Sequence, residues 1–321
     1  MKQFSLINQH GDELVVLPQG AILQRWSTVL AGARRELILA YPAPAYYRQD
    51  PYYLGAVVGP YANRIGGGCF MLDQQLVQLE QNEGAQHLHG GSIGLHRLVW
   101  QVQEYTSDSL VFVAEVPDGQ GGYPGPMTFR IRYQFTAPTT QQSELQVTLE
   151  ASSSRATLIG PTLHPYFNLA GSATNVNAHQ LQLAAAHYAV VDEHCIPTGE
   201  LRKVQGTAFD FHQPRLLADT RLDHNFVVHG HLQQAAAVLT SPQGDLSLSV
   251  SSDYPGLQVY TGDHLKSPFS PRQGICLEPQ FFPDSPNQKG FPFHFTRPGQ
   301  PFVAKMRYVL SRADQQANSQ A

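Results

Sequence analysis

Glu278, near the C-terminal end of the chain, lies where a carboxylate is costly to place. It follows an apolar run at residues 275–277 that is typical of a buried strand, and prolines come soon after it. Burying a carboxylate costs several kcal/mol unless the group is paired or hydrogen-bonded. Glu278 is therefore either satisfied by a structural partner or held in a cleft, where it can transfer protons.

Other side chains upstream have the types needed for proton transfer or for binding a polar ligand. They are His164, His89, Arg64 and Asp223. His164 precedes Pro165, which favours an extended backbone. It is either a structural histidine bonded to a carbonyl or a group that exchanges protons near neutral pH.

Arg64 and Asp223 each allow a structural and a functional interpretation. Arg64 precedes the glycines at 66–68. It is either part of a surface bulge or a fixed cation that binds hydroxyls or a developing oxyanion. Asp223, followed by His224 and Asn225, is either a turn cap before a strand or a cleft carboxylate, and for His224 we favour the cap.

His87 and His89 are two residues apart, so on a strand both side chains point to the same face. Such a pair suggests a metal site, but a site of this kind needs a carboxylate a few residues later. Gly90 and Gly91 follow instead. We therefore predict no metal, and we expect the glycines to allow a close backbone approach that places His89 at a cavity rim.

The composition excludes several classes of partner and site. The net charge is −4 without a basic block, which disfavours nucleic acid and anionic membranes. Cys69, Cys195 and Cys276 are widely spaced, which argues against a disulfide framework and a cysteine zinc site. Residues 1–13 lack the apolar region of a signal peptide, and no apolar run is long enough to span a membrane. We expect a cytoplasmic protein; the sequence does not predict its oligomeric state.

Strand patterns dominate the chain. Apolar and polar residues alternate with a period of two, between turn signals, which is the pattern of half-buried strands. The clearest cases are residues 110–116, 128–135, 145–149 and 246–250. The sequence thus predicts an all-β fold, a large antiparallel β-sandwich.

The domain organisation predicted from the sequence is simple. We expect a single domain over residues 1–312 and a polar, disordered tail over 313–321. The stretch 31–63, rich in tyrosine and proline, is predicted to be a loop beside the site. Residues 232–239 form either a short helix or a strand edge.

Taken together, short motifs along the chain resemble the aldose 1-epimerase family, also called galactose mutarotases. They occur in the family's order and cover nearly the whole chain. The matching stretches are GPYANRIG at 59–66, LHGG at 88–91 with Val99-Trp100 after it, GYPG at 122–125, HPYFNLAG at 164–171, PTGE at 197–200, FDF at 209–211, LDHNFVV at 222–228, PGLQVYTG at 255–262 and LEPQFFPDSPN at 277–287.

The resemblance implies a β-sandwich of the galactose-mutarotase type that binds a free monosaccharide in an open cleft and uses no cofactor. It implies that Glu278 is the general base and His164 the general acid, with the carboxylate ionised and the imidazole charged before reaction. The other implied roles are sugar contacts: Arg64 and His89 near the ring oxygen, and Asp223, Gln258 and Tyr166 around the ring.

Two departures from the family pattern bear on the choice of sugar. Leu163 stands where the family usually has an asparagine before the acid histidine, so one polar contact is expected to be missing. The stretch between Gly262 and Gly274 is short, which trims a loop near the cleft. Neither departure touches the residues that would transfer protons.

Three other functions stay open at this point. A glycoside hydrolase needs two carboxylates, which Asp223 and Glu278 would supply, but it needs no acid histidine. A non-catalytic sugar-binding module would keep the cleft without needing both His164 and Glu278. A phosphosugar epimerase would add an arginine and lysine cluster at the cleft.

Overall fold

The computed structural model describes residues 2–171 and 174–313. Most of the predicted tail, residues 314–321, lies outside the described residues. Strands are the dominant regular structure of the described residues, and the helical segments are short 3-10 turns. The predicted all-β class is therefore confirmed. None of the helical segments described is long and apolar enough to cross a membrane.

The strands are numbered in chain order. They are β1 (Phe4–Ile7), β2 (Glu13–Val16), β3 (Leu23–Leu30), β4 (Ala33–Glu36), β5 (Val57–Val58), β6 (Arg64–Ile65), β7 (Cys69–Leu72), β8 (Gln75–Gln78), β9 (His87–Leu88), β10 (Gln101–Tyr105), β11 (Ser109–Val116), β12 (Met127–Thr139), β13 (Gln142–Ser153), β14 (Thr162–Leu163), β15 (Tyr166–Phe167), β16 (Gln180–Leu183), β17 (His187–Val191), β18 (Pro197–Lys203), β19 (Arg215–Leu216), β20 (Asp223–Val227), β21 (Ala237–Thr240), β22 (Leu246–Ser252), β23 (Gly256–Tyr260), β24 (Ile275–Gln280) and β25 (Phe302–Arg312).

The 3-10 turns connect these strands. They span Pro44–Gln49, Gly66–Gly68, Gly91–Ile93, Leu95–Arg97, Gln120–Gly122 and Ser285–Asn287.

A nine-stranded antiparallel sheet forms one layer of the fold, in the order β10-β11-β12-β13-β25-β22-β21-β16-β19. The sequence of strand β12 explains why this sheet forms. Its apolar residues Phe129, Ile131 and Tyr133 are fully buried, while the polar residues between them are partly exposed. Because side chains alternate between the faces of a strand, this pattern buries one face of the sheet.

A six-stranded sheet, in the order β15-β24-β23-β20-β17-β18, forms the second layer and carries the candidate site. Its apolar face, including Leu257 and Leu277, packs into the same core as the nine-stranded sheet. An aromatic contact joins the two layers, since the ring centroids of Phe167 on β15 and Tyr308 on β25 are 5.9 Å apart. The two layers form the predicted β-sandwich.

The regions that the sequence left open are now assigned. Residues 232–239 contain the start of strand β21 at Ala237 and no helix. The stretch 31–63, predicted to be a loop, contains β4, a 3-10 turn over Pro44–Gln49 and β5. It does lie beside the cleft, because its residues Tyr52 and Tyr53 line it.

A buried ionic cluster around Asp12 ties the nine-stranded sheet to a small sheet formed by β1–β4. Asp12 is fully buried between β1 and β2 and accepts hydrogen bonds from Thr28 (2.7 Å), Ser143 and Arg312. Burial alone would raise the Asp12 pKa, but these hydrogen bonds and the Arg312 charge outweigh it and lower the pKa. The cluster therefore stabilises the fold when Asp12 is ionised.

We predict that Asp12→Asn lowers the free energy of unfolding by about 3 kcal/mol, because it leaves Arg312 buried without a charge partner. Chemical denaturation at neutral pH measures this loss. Since the folded pKa of Asp12 lies below its unfolded value of 3.8, the contribution is present above that value and is lost as pH falls through the folded pKa.

The matched control is Asp73→Asn, which breaks an exposed carboxylate–arginine pair with Arg297. Exposed pairs contribute little, so this variant should unfold at nearly the same denaturant concentration as the wild type. If the two substitutions lowered the free energy of unfolding equally, burial of the Asp12 cluster would make no additional contribution to stability.

Candidate functional site

Strand alternation collects polar side chains on the outer face of the six-stranded sheet. Glu278 on β24 pairs in register with Gln258 on β23, which in turn pairs with Asn225 on β20. Asp223, two residues before Asn225, shares this face and accepts a 2.7 Å hydrogen bond from the Gln258 side-chain amide. Three neighbouring strands thus present a row of polar groups.

Three members of this row, Asp223, Gln258 and Glu278, line an open cleft of about 230 Å³. All the site residues predicted from the sequence lie in its wall: Glu278, His164, His89, Arg64, Asp223, Gln258 and Tyr166. The remaining lining residues are Pro51, Tyr52, Tyr53, Asn63, Leu88, Tyr260 and His264.

Glu278 and His164 are in contact inside the cleft. The His164 Nε2 atom lies 3.5 Å from Glu278 Oε1, and the two side chains are almost completely buried. Two backbone hydrogen bonds hold His164 against the segment before β5. The His164 N–H donates to the Ala56 carbonyl, and the Gly55 N–H donates to the His164 carbonyl. Glu278 Oε2 is buried and has no hydrogen-bond partner among the described residues, so the hydrogen-bonding capacity of this oxygen is unused within the protein.

Burial sets the protonation of this pair. It raises the pKa of Glu278 well above its ordinary value, and the nearby Asp223 charge acts in the same direction. Burial also lowers the pKa of His164 to about 4. Burial therefore disfavours the charged form of both groups, which is the state that the sequence led us to expect before reaction.

His89 is held as a neutral hydrogen-bond donor. Its Nδ1 atom accepts the Asn63 backbone N–H at 3.1 Å, so in the neutral ring the proton lies on Nε2. Burial lowers its pKa well below 6.5, and the charges of His164 and Arg64 act in the same direction. The predicted backbone approach is present, because a Cβ on Gly90 would lie 1.8 Å from the Gly59 carbonyl oxygen.

The prediction that His87 and His89 share a face is wrong. Strand β9 ends at Leu88, and His89 takes a left-handed backbone with φ of 53°, so the period of two stops there. The His87 ring is buried away from the cleft, bonded to the Tyr123 hydroxyl at 2.9 Å and to the Glu80 carbonyl at 2.7 Å. His87 is a structural residue.

Arg64 forms an ion pair that the sequence did not reveal. Its Nε and Nη2 atoms donate to the two carboxylate oxygens of Glu83 at 2.6 and 2.8 Å. The guanidinium is mostly buried in the cleft wall. This geometry matches the fixed-cation interpretation of Arg64 and excludes the surface bulge.

Aromatic rings enclose the pair formed by Glu278 and His164. The Tyr166 ring centroid lies 5.2 Å from that of His164, and the Tyr166 hydroxyl donates to the Tyr52 carbonyl at 3.1 Å. The Tyr53 ring is 4.7 Å from the His89 ring and 6.1 Å from the His164 ring. These rings limit the access of water to both histidines.

Several cleft residues were not identified from the sequence. Asn63 precedes Arg64, and Tyr260 lies two residues after Gln258 on the same face of β23, so adjacency and strand period would have found both. Tyr52 and Tyr53 lie in the stretch 31–63, which was predicted to be a loop beside the site. Nothing in the sequence indicated His264, which lies beyond the end of its strand.

Two sequence interpretations change. His224 is not a turn cap but the second residue of β20, and its ring packs against Phe209 at 4.4 Å, on the opposite face from Asp223. Leu163, which stands where the family usually has asparagine, is fully buried and pairs with Val57 on β5. It does not line the cleft.

One group of three possible metal ligands occurs in the described residues. The ligand atoms of His164, Cys276 and Glu278 lie within 4.8 Å of one another. Burial raises the pKa of the Cys276 thiol and of the Glu278 carboxyl, which opposes the deprotonation that metal binding needs. Their contacts also reach opposite nitrogens of the imidazole, with Cys276 Sγ at Nδ1 and Glu278 Oε1 at Nε2. We therefore assign no metal to this group.

Comparison with known proteins gives a consistent result. A family model described as Aldose 1-epimerase matches residues 2–309. The aldose 1-epimerase of Escherichia coli (strain K12) is 32% identical over 327 residues, covering 95% of this chain and 93% of the relative. The galactose mutarotase of Homo sapiens is 37% identical over 289 residues, covering 84% and 82%.

A solved structure agrees with these matches. The aldose epimerase homologue from C. elegans superimposes with a TM-score of 0.92 at 25% identity, covering 98% of this chain and 99% of that one. The resemblance found in the sequence and the fold that it implied are thus confirmed.

We predict that His164 gains its second ring proton only near pH 4, and that neutral His89 carries its proton on Nε2. Burial disfavours the imidazolium in both cases. Nitrogen-15 NMR of the imidazole rings against pH measures both properties. His179 is the matched control, because burial alone lowers its pKa to about 4 outside the cleft. A His164 that titrates near 6.5 while His179 does not would contradict the neutral pair.

Proposed function

The chain belongs to the aldose 1-epimerase family, and we propose that Glu278 and His164 carry out the family's reaction here. The protein is an isomerase, a mutarotase that interconverts the α and β anomers of aldoses. The observation that supports this assignment of roles is the 3.5 Å contact of the two groups in one buried cleft. The proposed substrates are free aldohexoses such as galactose and glucose.

The reaction opens the sugar ring and closes it on the other face of C1. The anomeric hydroxyl loses a proton while the ring oxygen gains one, so the pair must accept and supply a proton together. In the proposed mechanism Glu278 accepts the first proton and His164 donates the second. When the ring closes again, the two groups exchange roles.

A neutral pair, which burial favours, has the proton count that this mechanism needs. Ring opening starts from ionised Glu278 and protonated His164, and it leaves both groups neutral beside the open-chain aldehyde. Burial, which favours neutral groups, therefore lowers the free energy of the open-chain state. The bound sugar hydroxyls must stabilise the charged pair before opening, as hydrogen bonds to a charged form do.

The other cleft groups suit a ring of hydroxyls. Gln258 donates to Asp223 and keeps its Oε1 atom without a partner among the described residues, so this oxygen can accept a hydrogen bond from a sugar hydroxyl. Neutral His89 donates through Nε2, and Arg64 keeps Nη1 beyond its pair with Glu83. The cleft thus offers both donors and acceptors, as recognition of several hydroxyls requires.

The alternative functions receive less support. A sugar-binding module needs no buried pair like Glu278 and His164, and a glycoside hydrolase would pair two carboxylates where this cleft pairs a carboxyl with an imidazole. For a phosphosugar epimerase the cleft lacks cations, because its described lining contains one arginine and no lysine. That arginine, Arg64, is already paired.

We predict that the protein, after treatment with a chelator, accelerates the change in optical rotation of fresh α-D-glucose and α-D-galactose without added nucleotide.

We also predict that Glu278→Gln lowers kcat by at least about 10²-fold, because the isosteric amide cannot accept the proton. Polarimetry measures both, with circular dichroism to check that the variant is folded. A variant with nearly normal kcat, or a chelator-treated protein without activity, would contradict the proposal.

We predict that His164→Asn and Asp223→Asn affect different kinetic constants. The first should mainly lower kcat, since His164 serves the proton transfer, while the second should act at least as much by raising KM, since Asp223 binds hydroxyls in every state. Initial rates at several sugar concentrations separate the two. An unchanged KM in Asp223→Asn would remove Asp223 from the sugar contacts.

A further inference from the structure

Arg64 is the only arginine or lysine among the described residues that line the cleft. Its charge is met by Glu83, a residue that does not line the cleft itself. The Glu83 carboxylate engages two guanidinium nitrogens at 2.6 and 2.8 Å, which is the bidentate geometry of strong arginine–carboxylate pairs. This edge of the guanidinium is thus occupied, and only Nη1 has no hydrogen bond among the described residues.

The local backbone holds both partners in place. Arg64 on β6 pairs in register with Leu88 on β9. Glu83 and Gln86 exchange backbone hydrogen bonds at 3.1 and 2.9 Å, and the Asn82 side chain bonds both backbone groups of Leu88. Because one short segment, residues 82–88, fixes Glu83 and the strand beside Arg64, the ion pair is part of the built structure of the cleft wall.

The pair also decides the charge of the cleft. Arg64 and Glu83 together carry no net charge, and burial keeps His89 and His164 neutral. The Asp223 carboxylate is the charged group that remains on the floor of the cleft. A ligand with a phosphate or carboxylate group would therefore meet no uncompensated cation, and it would approach a carboxylate.

We propose that Glu83 is a specificity-determining and positioning residue, which fixes the orientation of Arg64 and cancels its charge so that the cleft takes uncharged sugars and rejects anionic ones. This inference rests on the proposed function, since it names the class of sugar that the same site accepts. Glu83 acts through Arg64 and is not itself a catalytic residue.

The test measures binding without relying on catalysis. The probes are 1,5-anhydroglucitol and its 6-phosphate, which have no anomeric hydroxyl and cannot react. Calorimetry at about pH 8, where an ordinary histidine is neutral, gives the ratio of the Kd of the phosphate to the Kd of the parent sugar. For the wild type we expect weaker binding of the phosphate, and for Glu83→Gln a ratio at least about tenfold lower, because Arg64 gains a free charge.

Two further variants separate charge from structure. Glu83→Asp keeps the negative charge, so it should retain the wild-type ratio, although the shorter side chain should raise the KM for glucose more than it changes kcat. Asp73→Asn removes the carboxylate from the bidentate pair with Arg297 on the surface, and it should leave the ratio and KM unchanged.

The outcomes are distinct. An unchanged ratio in Glu83→Gln, an equal change in Asp73→Asn, a ratio in Glu83→Asp as low as in Glu83→Gln, or tighter phosphate binding by the wild type would each overturn the inference. A wild-type protein that binds the parent sugar but does not accelerate mutarotation would refute the proposed function and still leave the binding ratios to judge Glu83.

Discussion

The burial of a carboxyl group beside an imidazole is the constraint on which the rest of this structure depends. Glu278 is almost completely inaccessible to solvent and touches His164. Neither group can hold a charge cheaply in such surroundings. The six-stranded sheet must therefore carry an apolar face for the core and a polar face for the cleft, and the strands beside β24 must supply polar groups around the carboxyl.

Local patterns predicted the frame of the site better than its electrostatics. The apolar run before Glu278 and the alternation in β12 are properties of a few consecutive residues, and both were interpreted correctly. The protonation of Glu278 and His164 depends on how deeply two layers of sheet enclose them, and no short segment records that depth. For this reason the sequence did not reveal that burial disfavours the charged form of both groups.

The other errors have equally physical origins. The inference about His87 and His89 assumed that a strand continues, but a left-handed residue ended it. His224 was interpreted as a cap because polar residues cluster there, whereas its ring packs among aromatic neighbours. Glu83 was missed because it pairs with a residue 19 positions away, across a turn, where no periodicity relates the two.

The in-register row of Asn225, Gln258 and Glu278 has a consequence for quality control during folding. A slip of β24 by one residue would turn Leu277 towards the cleft and drive the Glu278 carboxyl into the apolar core. Misaligned chains would therefore lose thermodynamic stability and the candidate site together.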